Sequence, residues 1–70
     1  LTNLVRFFEN EEFIEKYTDI PIPQLQTYVW IYDKPYKVER IYYSFYECNA
    51  NKENGIDVDV KEVSIESLIN

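Results

Sequence analysis

The chain reads as an α+β domain: an N-terminal helix packed on a three-stranded antiparallel β-meander, closed by a short C-terminal helical turn. Three observations lead there. Within residues 1–17, Leu4, Phe7, Phe8, Ile14 and Tyr17 fall near one face at a 3.6-residue period. Residues 26–48 are dense in β-branched and aromatic side chains, the composition of strands. Ile56-Asp57-Val58-Asp59-Val60 alternates strictly between apolar and charged, which is the period of a half-buried strand.

The helix has Glu11 as a polar intruder in its stripe, and Thr2 or Asn3 to cap its start. Asn10-Glu11-Glu12 is a second start signal, so an irregularity is expected near Asn10. Ile20-Pro21-Ile22-Pro23 ends the helix, because each proline removes an amide donor and extends the residue before it. Residues 26–32 form the first strand, and Asp33-Lys34-Pro35 supplies turn chemistry. Tyr36 to Cys48 forms a second strand longer than usual, with a bulge expected between Val38 and Ile41, whose parities differ. Asn49 to Gly55 reads as the connecting loop, ending in an Asn-Gly pair that readily takes positive φ. After the third strand, Ser64 to Ile69 closes in a helical turn capped by Ser64, with Ser67 three positions on.

Strand parity divides the aromatic segment into two faces. Val29, Ile31, Ile41, Phe45, Ile56, Val58 and Val60 point toward the core. Trp30, Tyr32, Arg40, Tyr42 and Tyr46 join Asp57 and Asp59 on the open face, and these seven are the candidate partner-binding residues. Tryptophan, tyrosine and arginine are the types that dominate binding hot spots.

Composition excludes much else. There are 70 residues, one domain near the lower size limit for a single core, and the 46% hydrophobic content makes folding the expectation. With no histidine and one cysteine, Cys48, neither soft-metal ligation nor an intrachain disulfide is available. No nucleophile has a base beside it, and the one glycine cannot build a phosphate loop. Asp57 and Asp59 lie about 7 Å apart along one strand face, without the cleft that acid/base catalysis needs. The expectation is therefore a non-enzyme with no cofactor, no metal and no catalytic residue.

Thirteen acidic against seven basic residues give a net charge of −6. That balance argues against nucleic acid and favours a protein partner, basic by complementarity. The alternative is a structural homodimer or assembly subunit pairing edge strands, and the third reading is single-stranded nucleic acid stacked on exposed rings. Small acidic domains of this size also act as inhibitors or accessory factors in phages and mobile elements, some by mimicking DNA charge. Here Glu9, Glu11, Glu12 and Glu15 begin such a row, together with Asp57 and Asp59. No apolar run approaches the ~20 residues of a membrane span, and no signal peptide is evident, so a cytoplasmic setting without membrane contact is expected.

Overall fold

Residues 2–18 form a β-hairpin, and the expected N-terminal helix is absent. A computed structural model describes residues 2–48 and 51–69, with side chains described for 3–43 and 55–69. In it, β1 (Thr2–Glu9) and β2 (Glu12–Thr18) pair antiparallel through a two-residue turn. Both turn residues take positive φ, Asn10 at 52° and Glu11 at 67°. That geometry matches the right-handed twist of the strands it joins. Asparagine tolerates it readily and glutamate only at a cost, and an asparagine followed by two carboxylates is equally the signature of a helix start. The apolar stripe also misled. Phe7 and Phe8 are neighbours on a helix face, but on β1 they point to opposite sides of the sheet.

The Glu11 conformation yields a prediction. Glu11→Gly should raise stability by about 1 kcal/mol, because glycine meets no Cβ clash at positive φ. Urea unfolding with an unchanged m-value would register it.

β3 (Tyr28–Ile31), β4 (Lys34–Cys48) and β5 (Asn51–Glu62) follow, and α1 (Ile65–Ile69) is a single turn. The order across the sheet is β2-β1-β5-β4-β3. The β3-β4-β5 part is the antiparallel meander expected from the sequence. It is only part of a five-stranded sheet, because β1 docks parallel to β5, with Val5 opposite Ile56 and Phe7 opposite Val58. The fold is therefore a mostly-β, mixed, curled sheet and not an α+β helix-on-meander.

Two local assignments also change. The β3–β4 turn is Tyr32-Asp33, at φ 52° and 62°, so Pro35 falls inside β4 opposite Trp30. Asn51 to Gly55 lie within β5, where Gly55 sits between Leu4 of β1 and Ser44 of β4, without positive φ. Asn49 and Ala50, the remainder of the expected loop tip, fall outside the described residues, as does the side chain of Cys48.

Other expectations hold. The β4–β5 register slips between Val38 and Arg40, which leaves Glu39 as the bulged residue. α1 begins at a Ser64 cap, whose Oγ accepts the Ser67 amide at 3.3 Å.

The concave side of the curl holds the core: Val5, Phe7, Ile31, Tyr36, Val38, Ile56, Val58 and Val60. Ile14, Tyr17, Ile20, Val29 and Ile41 pack around it. Val29, Ile31, Ile41, Ile56, Val58 and Val60 thus occupy the core side assigned to them, while the Phe45 side chain is not described. The curl, not a helix, covers these residues. It brings the two edge strands near enough for a side-chain bridge, in which the Tyr32 hydroxyl donates to the Glu15 carboxylate on β2.

That bridge is pH-sensitive. The Tyr32 hydroxyl, helped by the Lys16 amide, holds the Glu15 carboxyl below its ordinary value of 4.5. The same bond raises the Tyr32 pKa above its ordinary 10.0. A depressed carboxylate stabilises fully above its unfolded pKa, and the contribution is lost as pH falls through the folded one. The melting-temperature gap between wild type and Tyr32→Phe should therefore be present at neutral pH and shrink as the solution is taken below pH 4.5. A gap that is constant across that window would remove the bridge from the account.

Candidate binding face

The convex side of the sheet is built in rows, because residues opposite one another on adjacent strands share a face. Since Val38 pairs with Val60 in the core, Lys37 and Lys61 stand opposite each other outside, with Tyr28 beside Lys37. The next row runs Arg40, Asp59, Phe8, Phe13 across four strands. A third runs Tyr42, Asp57, Arg6, Lys16. The bulge at Glu39 makes this possible. Without the extra residue, Arg40 and Tyr42 would fall on the core side and Ile41 on the outside.

Four of the seven predicted site residues, Arg40, Tyr42, Asp57 and Asp59, therefore form one cluster. Trp30 faces the same way from the edge strand β3, opposite Pro35 and 58% exposed. Tyr32 does not belong with them. It sits in the β3–β4 turn and is spent on Glu15 across the mouth of the curl. Tyr46 pairs with Glu53 in the β4–β5 ladder, but its side chain lies outside the described residues.

The centre of the face is ordered by charge. Arg6 grips Asp57 with two hydrogen bonds of 2.7 Å, from Nε to Oδ1 and from a terminal nitrogen to Oδ2. Such fork geometry fixes both groups in plane. The Arg6 guanidinium also lies 5.4 Å from the centre of the Phe8 ring, a cation–π contact. Phe8 in turn meets Phe13 edge-on at 5.8 Å. The Tyr42 hydroxyl, and after it Asp59, hold the Arg40 guanidinium pKa above its ordinary value, so this side chain is charged at every working pH.

The sequence reading missed much of this surface. Arg6, Lys16, Lys37, Arg40 and Lys61, five of the chain's seven Lys and Arg, share the outer face, where Asp57 and Asp59 are the carboxylates in register with them among the described side chains. Lys61 was legible, since it continues the Asp57, Asp59 alternation. Arg6 and Lys16 were not, because the apolar period of residues 1–17 fits a helix. An open cleft is lined by Lys37, Arg40 and Lys61 together with Glu9, Glu11, Glu39, Asp59 and Glu62.

Asp57 is committed to Arg6, and among the described residues no group of three potential metal ligands comes together. Among the same residues, no helix is long and apolar enough to cross a membrane. Comparison with protein-family models, with curated proteins and with solved structures returned no match to this chain.

Proposed function

We propose that this chain is a non-enzymatic interaction module that binds a protein partner through the outer face of its sheet, centred on Arg40, Tyr42, Asp57 and Asp59. One observation carries the reading: this face displays Phe13, Tyr28, Trp30 and Tyr42 as exposed rings among charged side chains. A large uncovered set of rings rimmed by polar groups is the usual anatomy of a contact surface. The charge pattern specifies the partner further. Carboxylates of the partner would meet Lys37, Arg40 and Lys61, and basic groups would meet Glu9, Glu11, Glu39 and Glu62, which line the same cleft.

The test is capture from the source cell with wild type, Arg40→Ala, Tyr42→Ala and Leu25→Ala, Leu25 being exposed in the β2–β3 connector. The same proteins should come down with wild type and Leu25→Ala and be lost from the other two. Identical recovery by wild type and all three variants sinks the proposal.

A second reading draws on the same face: single-stranded nucleic acid stacked on the rings, with the five cations along its backbone. The net charge of −6 opposes it at long range. A change in Trp30 fluorescence on adding oligonucleotide at low salt would favour this reading over the first.

A further inference from the structure

The curled sheet ends on two edges of different character. β2 is guarded: it carries Glu12, Glu15 and Lys16 and is broken by the register slip at Ile14. β3, Tyr-Val-Trp-Ile, has neither charge nor proline to deter another strand. Its backbone is also poised for pairing. Pro35 has no N–H, so Trp30 and Pro35 are a non-hydrogen-bonded pair. Val38 donates to the Thr27 carbonyl at 2.9 Å, which sets the alternation from the other end. The N–H and C=O groups of Tyr28 and Trp30 therefore point away from β4 toward the free edge.

Beside that edge runs an apolar groove of about 560 Å³, walled by Phe7, Tyr17, Ile20, Ile22, Val29 and Trp30, with no charged residue in its lining. It lies between the Ile20–Pro23 connector and β3, and its volume is in the range of ligand-binding clefts, ~300–1,000 Å³.

We propose that this groove takes an extended segment of a partner protein, apolar at alternate residues and flanked by lysine or arginine, which adds to the free edge of β3 as a sixth strand. Main-chain bonds to Tyr28 and Trp30 would give the affinity, and alternate side chains would enter the groove. Charge selects the occupant. Asp19 immediately precedes the lining residue Ile20, Asp33 lies in the β3–β4 turn, and Glu15 accepts the hydroxyl of Tyr32 in that same turn. A second copy of the chain would bring a further −6 to the contact. This inference does not depend on the outer-face reading, since it is tested on the purified chain with a synthetic peptide.

The probe is a short valine–threonine alternating peptide with two lysines at each end, compared with the same peptide carrying glutamates there. The lysine peptide should shift Trp30 fluorescence and slow amide exchange at Tyr28 and Trp30. The glutamate peptide should bind at least about tenfold more weakly, through unfavourable charge alone. Tyr28→Pro deletes an outward N–H that β4 does not use, a replacement edge strands tolerate. It should bind at least about tenfold more weakly than Tyr28→Ala, which keeps that donor. If the proline variant does not fold, amide protection in the wild type decides. Equal affinity for the two peptides, equal binding by the two variants, absence of binding at millimolar peptide, or self-association that protects these amides without peptide would each overturn the proposal.

Discussion

Phe7→Ala is expected to remove about 3–5 kcal/mol of stability and leave the chain largely unfolded at ambient temperature. Domains hold roughly 0.05–0.15 kcal/mol per residue, so 70 residues have little to spare beyond that loss. Phe7 is 2% exposed, lies opposite Val58 across the parallel β1–β5 pair, and meets Tyr17 edge-on at 6.0 Å. It thus joins the hairpin β1–β2 to the meander, and alanine would leave a void where both halves meet. Loss of a cooperative urea transition checks this. The neighbouring Phe8→Ala should cost far less, because Phe8 points to the outer face. A helix carrying both rings on one stripe would make the two substitutions comparable, so the pair also tests the fold.

Asp57→Ala should destabilise by about 1–2 kcal/mol. The change strips a carboxylate that receives two charge-assisted bonds and leaves the Arg6 guanidinium beside the Phe8 ring. The two side chains are 34% and 28% exposed, so water recovers part of the loss and the larger penalty of a buried pair does not apply. A double-mutant cycle with Arg6→Ala should give a coupling of about 1 kcal/mol. Zero coupling would mean the pair is geometric decoration. Because Arg6 and Asp57 are 51 positions apart, a measurable coupling would also verify the parallel register of β1 on β5.

Much of the C-terminal half was legible because its signals are local. Ile56, Val58 and Val60 alternate without interruption, the parity change between Val38 and Ile41 announces the Glu39 bulge, and Ser64 with Ser67 announces the last turn. The N-terminal half was not legible, for two physical reasons. Asn10-Glu11 is a poor advertisement for a turn that holds both residues at positive φ, and tertiary pairing overrides a stripe that fits a helix. The β1–β5 contact has no local signature at all. The candidate site shows the same division. Arg40, Tyr42, Asp57 and Asp59 were found by parity within the meander, whereas Arg6, Phe8, Phe13 and Lys16 belong to strands that periodicity concealed. Tyr32 was misplaced because its parity was continued into what is a turn. The Asn54-Gly55 pair misled in the opposite sense, as a strong turn dipeptide held inside a central strand by neighbours on both sides.

The parallel docking of β1 on β5 has a consequence for how this protein is made. A nascent chain emerges N-terminus first, at about 5–20 residues per second, so the hairpin appears seconds before the strand that must shelter it. During that interval Val5, Phe7 and Tyr17 have no lasting cover, and the first half can only wait. Completion of the fold is deferred until the final strand has left the ribosome. Newly made chains at high local density are thus most vulnerable to one another in that window, and translation speed through residues 19–62 sets how long it stays open.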